Sequence, residues 1–290
     1  MFLSRKSSGA LVAVGLLGMG SAHALTISFD DFSSLEGLQL NGATAAIGNP
    51  TTDDQGRSVL RLTNALSQSG SAFFSDPVTL SNNASFSTFF TFRISNPLGA
   101  SDVDGQGADG LVFVVQTVSN TAGGSGGGIG YTGIDNSVGA EFDTWFNGSG
   151  LGDPDGNHVA IDLNGVFSPA ELAVPVAQRM NDGDVWNAWV DYNGETDLLD
   201  VRLSLSSARP EAAIVSRTVD LVSVLGSESA FAGFTSGTGA AGGFHDILSW
   251  TFVDDFDPIE PPSPVPEPTS LLLMLSGLVG LSALRRRAKP

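Results

Sequence analysis

The chain has 290 residues, no cysteine, and 31 acidic against 13 basic side chains, for a formal net charge of −18. Without cysteine there is no disulfide, no thiolate metal site and no cysteine nucleophile. The anionic balance argues against nucleic-acid binding and suits solubility and divalent cations. Residues 1–24 carry Arg5 and Lys6, then the apolar run "ALVAVGLLGMG", then small residues at Ala22 and Ala24. This order reads as a secretory signal peptide with an A-x-A cleavage site, and the run is short for a retained membrane anchor.

Residues 25–255 are long enough for one domain with a large core. With both ends of the chain set aside, this body keeps about thirty acids against seven bases. Strands are predicted in chain order at "SFSTFFTFRI", "GLVFVVQTV", "SVGAEFDTW", "HVAIDLNG", "WNAWVDYN", "LLDVRLSLS" and "DILSWTFV". Each is rich in Val, Ile, Phe, Trp or Thr, several alternate apolar with polar residues, and Gly, Asn, Asp and Ser fill the gaps. One short helix is predicted at "SPAELAVPV", with Ser168 as N-cap, Pro169 first and Glu171 third. No fixed-period repeat is visible. The pattern predicts an all-β fold, an antiparallel β-sandwich.

The stretch "EFDTWFNGSGLGDPDGNHVAIDLNG", Glu141 to Gly165, concentrates acids, asparagines and one of only three histidines around a Gly/Pro turn. Residues two apart on a strand share a face, which sets Glu141, Asp143, Trp145 and Asn147 against Phe142 and Thr144. A hairpin of this length returns Asp153 and His158 beside Glu141 and Asp143. Carboxylates gathered in this way repel one another unless a cation joins them. Asp143, Asn147, Asp153 and a main-chain carbonyl form an oxygen set suited to Ca²⁺. Glu141, Asp143, Asp153 and His158 mix nitrogen with oxygen and suit a transition metal such as Mn²⁺. The competing reading is a solvated acidic edge with an incidental histidine. Neither possible EF-hand loop survives its spacing: "DPDGNH" has His158 where glycine is required, and the loop from Asp102 ends on Phe113 instead of glutamate.

After a Pro-rich linker, 256–265, residues 266–290 contain Pro266-Glu267-Pro268, an apolar stretch from Leu271 to Leu284, and Arg285, Arg286 and Arg287. Motif, apolar segment and arginine cluster resemble the PEP-CTERM sorting signal of exported bacterial proteins. That resemblance implies recognition by an exosortase-type processing enzyme and a transmembrane tail before cleavage. A plain tail anchor is the competing reading.

"VGAEFDTWFN" followed by "GDPDGNHVAIDLNG" resembles the metal-binding segment of the legume-type (L-type) lectins, in the bacterial branch of that family. The likeness covers most of the body: "ISFDDF", "GSAFFSDPVTL", "FSTFFTFRI", "GADGLVFVV", "GGGIGYTGI", "WVDYNGETDLLDVRLS" and "FAGFTSGTGAAGGFHDILSWTF" follow in the family's order. It implies a concanavalin A-like jelly roll that binds a glycan or polysaccharide and acts at the cell surface or in extracellular polysaccharide. By that resemblance Glu141, Asp143, Asp153 and His158 hold the transition metal, with Ser168 on one of its waters. Asp143, Asn147, Asp153 and the Trp145 carbonyl hold calcium, and Asp109, Gly127 and Asn147 bind the sugar. It further implies a cis peptide before Asp109 and a specificity loop at "SGTGAAGGF".

The side chain of Trp145 is either a core group or a sugar-stacking ring, whereas Trp186, Trp189 and Trp250 are expected in the core and His245 as a structural residue. A glycan hydrolase on the same sandwich needs a second carboxyl about 5 Å from the first. In "EFDTWF" Phe146 occupies the place where that glutamate belongs. No Ser triad or phosphate loop is present. The readings carried forward are a non-catalytic lectin and, as the alternative, a structural surface protein on the same scaffold. Neither the sugar nor the oligomeric state is legible.

Overall fold

The alternating segments assemble into two eight-stranded sheets, antiparallel throughout. The computed structural model describes residues 24–260 apart from Ser81 and Ser125; the expected leader (all but Ala24) and the tail from 266 lie outside the described residues. The first sheet runs Val215–Thr218, Leu198–Ser204, Val185–Asn193, Phe86–Gly99, Ala241–Val253, Ser58–Thr63 and Thr51–Thr52, with Thr26–Phe29 also paired to Ala241–Val253. The second runs Val174–Pro175, His158–Leu163, Ser137–Asp143, Gly110–Gln116, Ser229–Gly237, Ser69–Phe74 and Leu38–Gly42, with Val78–Thr79 on Ser229–Gly237. All seven predicted strands are present, and the fold is the predicted β-sandwich.

Period-two alternation gives the second sheet two apolar faces. Leu111, Phe113 and Val115 join Phe90, Phe92, Phe142, Phe234 and Trp250 in the core between the sheets. Their neighbours Val112 and Val114 face the other way, into a smaller core closed by Ile129, Tyr131 and Ile134. That second core fastens the long connection after Gln116 onto the outer face of the sheet. Glu141 pairs with Val112 and Asp143 with Gly110, so both acids lie on this outer face at one end of the sandwich.

Two local expectations are corrected. "SPAELAVPV" is not a helix: Pro169 is extended (φ −58°, ψ 148°), a single 3₁₀ turn spans Ala170–Leu172, and Val174–Pro175 pairs with the His158 strand. The reason is that Ser168 does not cap; its N–H donates to Asp162 Oδ1 (2.7 Å) and its hydroxyl to the Ile161 carbonyl (2.6 Å). Strand geometry also stops at Asp143, so the shared face does not extend to Trp145 and Asn147, which lie in the loop. Trp186, Trp250 and Trp189 are all buried, as expected, the first two between the sheets and Trp189 outside them. Its ring points to the outer face of the first sheet, 5.0 Å from the Phe89 ring, and is fully buried there. The chain leaving Val253 covers it: Trp189 Nε1 donates to the Ile259 carbonyl (3.1 Å), and the Asp257 N–H donates to Ser87 Oγ (3.0 Å). Packing thus continues into the first residues of the expected linker. Among the described residues, no helix is long and apolar enough to cross a membrane.

Candidate metal and ligand site

Two adjacent strands bring the acids and the histidine together. His158 pairs with Asp143 and Ala160 with Glu141, so His158, Ala160 and Asp162 share the outer face with both acids. Glu141, Asp143 and His158 each offer a ligand atom within 4.8 Å of the others, and all three are buried. His158 Nε2 lies 3.9 Å from Glu141 Oε2 and 4.0 Å from Asp153 Oδ1. His158 Nδ1 is 3.1 Å from the Asp155 carbonyl, which accepts its proton and leaves the Nε2 lone pair aimed at the acids. Burial holds the imidazole below its ordinary pKa, hence neutral and able to ligate.

The carboxylates are strained electrostatically as they stand. Burial, reinforced by Asp162, Asp143 and Asp153, pushes Glu141 well above the usual carboxylate range. Burial, then Asp153, does the same to Asp143, although the Trp145 N–H donates to its Oδ1 (2.6 Å). Asp143 Oδ2 is buried without a hydrogen-bond partner. Asp153 is raised by burial and lowered by Asn147, whose N–H donates to its Oδ2. An orphaned carboxylate oxygen, a neutral imidazole and clustered acids fit a divalent cation. Exposed acids solvated by water are excluded, because Glu141, Asp143 and Asp153 are all at most 2% exposed.

Asp162 is a further acid beside this cluster, one that the motif reading misses. It continues the His158, Ala160 alternation, is fully buried, and is pushed up to about 7 by burial. Its Oδ1 is held by the Ser168 N–H, and its carboxyl shares a hydrogen bond with Glu141, which lowers Asp162 and raises Glu141. Ser168 is tied to protein on both sides, since its Oγ also accepts from Arg217 Nη1 (2.9 Å).

Asp109 adjoins this cluster. The Ala108–Asp109 peptide is cis, as the resemblance implies. The Asp109 N–H donates to the Gly237 carbonyl (3.1 Å) and its carbonyl accepts from the Thr144 N–H (2.8 Å), which fixes it between the Ser229 strand and the loop that follows Asp143. Burial pushes its carboxyl up to about 7, and Oδ2 is without a partner. A Cβ on Gly239 would stand 3.8 Å from that Oδ2, so the Thr238–Ala240 turn borders Asp109. The Gly126–Gly128 turn rests on the same strand end: a Cβ on Gly237 would come within 1.9 Å of the Gly126 carbonyl oxygen, so only glycine permits the approach. Gly127 is exposed, with open space where a side chain would be. Asn147 and Trp145 are half-buried, and Trp145 belongs to neither hydrophobic cluster. His245 is fully buried, its Nδ1 bonded to Thr63 Oγ1 (2.7 Å), in keeping with a structural role.

Residues 24–267 match the legume lectin domain, and residues 264–287 match the PEP-CTERM protein-sorting motif. An L-type lectin-domain containing receptor kinase of Arabidopsis thaliana is 33% identical over 201 residues, 66% of this chain and 27% of the kinase. The chain thus spans little more than a quarter of that relative's length. A bark lectin of Styphnolobium japonicum is 31% identical over 259 residues, covering 82% of this chain and 88% of the lectin. Among solved structures, basic winged bean lectin with Tn-antigen superposes with a TM-score of 0.64 at 30% identity, over 80% of this chain and 98% of that one. Fold, sequence and strand order agree: the chain belongs to the legume lectin family of carbohydrate-binding domains and carries a PEP-CTERM sorting motif.

Proposed function

We propose that the chain is an exported lectin whose sugar site depends on bound calcium. The observation that carries this reading is the buried, partly unpartnered acid–histidine cluster directly beside Asp109. Glu141, Asp143, Asp153 and His158 would hold a transition metal such as Mn²⁺; Asp143, Asn147, Asp153 and the Trp145 carbonyl would hold Ca²⁺. Bound cations neutralise the acids and order the loop from Thr144 to Asn157. With that loop fixed, Asn147 donates to a sugar hydroxyl, Asp109 accepts from others, and the Gly127 amide closes the third side. Trp145, outside both cores, is available to stack on the sugar ring.

Residues 1–24 serve export, 25–255 bind carbohydrate, and the tail from 266, joined through 256–265, serves exosortase-type processing. The final location is the cell surface or the extracellular polysaccharide. Basic winged bean lectin was solved with Tn-antigen and lectin UEA-II in complex with galactose, which supports a glycan as the ligand class here. Retention of the mature protein on a panel of sugar resins, with Ca²⁺ and Mn²⁺ and again in EDTA, tests the reading. Binding to at least one sugar that EDTA abolishes is expected. Metal loading without retention on any sugar or polysaccharide would leave the structural-scaffold alternative, and absence of metal by elemental analysis would overturn the calcium-dependent site.

A further inference from the structure

The segment that delivers Asp109 also grips the metal loop. Asp102 Oδ1 accepts from the Asp104 N–H (2.9 Å) and the Gly105 N–H (3.1 Å), which folds residues 102–105 into a tight turn. The Asp102 N–H donates back to the Gly105 carbonyl (3.0 Å), and Arg179 Nη2 donates to the Gln106 carbonyl (3.2 Å). From this turn two carboxylate oxygens reach across to the metal loop. Asp102 Oδ2 accepts from the Phe146 N–H (2.9 Å), and Asp104 Oδ2 accepts from the Gly156 N–H (3.1 Å). Phe146 lies between Trp145 and Asn147, and Gly156 between Asp153 and His158, so the two bonds hold opposite arms of the loop. A Cβ on Gly156 would stand 2.3 Å from Asp102 Oδ2 and 2.8 Å from Asp104 Oδ2, so the space beneath both carboxylates is free only because residue 156 is glycine. Charged acceptors make the stronger class of hydrogen bond. Neither aspartate belongs to the acid–histidine cluster.

We propose that Asp102 and Asp104 are positioning residues: they clamp both arms of the metal loop in its binding shape before the cation arrives, and tie that loop to the strand start carrying Asp109. The inference rests on the metal-dependent reading above. It explains why acids should stand beside a loop already crowded with them. They act there as backbone acceptors. Of the two, Asp104 uses a single oxygen, so Asp104→Asn can present its amide oxygen to Gly156 and keep the bond. Asp102 uses both oxygens as acceptors, so Asp102→Asn must forfeit one contact.

The test compares the mature protein with Asp104→Ala, Asp104→Asn, Asp102→Asn and the Asp102→Ala/Asp104→Ala double variant. Calcium affinity is measured calorimetrically, and backbone amide exchange of residues 144–157 is measured on the metal-free proteins. Expected are a rise in calcium Kd on the order of 10-fold for Asp104→Ala, in the range of supporting residues around metal ligands, and a larger rise for the double variant. Asp104→Asn should stay within about twofold of the parent, with Asp102→Asn between. Exchange at 144–157 should quicken in the alanine variants while the strands exchange as in the parent. Unchanged exchange and affinity in the double variant would overturn the proposal. Equal losses for Asp104→Asn and Asp104→Ala would also overturn it, since charge and not the hydrogen bond would then be responsible. A parent that binds no divalent cation sinks the metal reading alone, because the exchange comparison needs no metal.

Discussion

His245 makes the sandwich sensitive to acid in a way that can be worked out from its surroundings. The imidazole is 0% exposed, its Nδ1 is bonded to Thr63 Oγ1, and Nε2 has no partner. Burial pushes its pKa from 6.5 down to about 3. The unfolded chain therefore takes up a proton below pH 6.5 that the folded chain refuses until about pH 3, so this contribution is present at neutral pH and lost as pH falls through that window. At about 1.36 kcal/mol per unit of pKa difference, moving from pH 7 to pH 4 removes roughly 3 kcal/mol. That is a large share of a typical domain stability of about 5–15 kcal/mol. With a urea dependence of about 2 kcal/mol per molar, the unfolding midpoint should drop by on the order of 1.5 M from this group alone. Other groups titrate over the same range, so the assay is a comparison: urea unfolding of metal-free parent and His245→Asn at pH 7, 6, 5 and 4. The variant starts less stable, having lost imidazole packing, and should lose roughly 3 kcal/mol less on acidification. Parallel stability–pH curves for the two proteins would refute the reasoning. The consequence reaches the ligand site, because Thr63 contacts Ser236, whose hydroxyl donates to the Gly110 carbonyl next to Asp109.

Cation binding should be coupled to proton release, because Glu141 and Asp143 are held above the normal carboxylate range and must ionise to ligate. Calorimetric titration of Mn²⁺ in two buffers of different ionisation enthalpy measures this, and heats independent of buffer would contradict it. Asp109→Ala should weaken sugar retention by about 10- to 100-fold, the worth of one charge-assisted hydrogen bond, with metal content unchanged by elemental analysis. Gly237→Ala should force the Gly126 turn off the strand end and cost about 1–3 kcal/mol of stability in thermal melts. It should also reduce sugar retention more than calcium affinity, and the reverse order would mean that the Gly126–Gly128 turn does not line the sugar site.

The parts of this molecule that can be read from sequence are those governed by side-chain period and polarity. Phe86–Gly99 and Val185–Asn193 alternate apolar with polar groups and are recognisable as strands. Ser69–Phe74 and Ser229–Gly237 are not, because Gly, Ser and Ala replace bulky residues there. The reason is close approach: a Cβ on Gly233 would stand 2.1 Å from the Ala72 carbonyl oxygen, so this neighbouring strand demands glycine where propensity would ask for valine. The clustering of Glu141, Asp143 and His158 follows from strand alternation plus one hairpin. Asp162 obeys the same alternation but carries no turn or motif to draw notice. The Asp102 and Asp104 contacts depend on which loops meet at one end of the sandwich, which no local pattern encodes. The expected helix at Ser168 fails for a nearer reason: the cap residue is taken by the end of the preceding strand, its N–H by Asp162 and its hydroxyl by Ile161.

The strand order gives the molecule a front and a back. Glu141, Asp143, His158 and Asp109 belong to the second sheet and its edge, while the outgoing chain is pinned to the outer side of the first, at Trp189 and Ser87. Tension arriving through the C-terminus is therefore taken up first by the contacts of Asp257 and Ile259, with the whole thickness of the sandwich between it and the acid–histidine cluster. A load would strip this strap from the Phe89–Trp189 pair before it disturbed any ligand-bearing loop. A pull on the outgoing chain would thus reach the Asp109 end of the second sheet last, after the Trp189 and Ser87 contacts had given way.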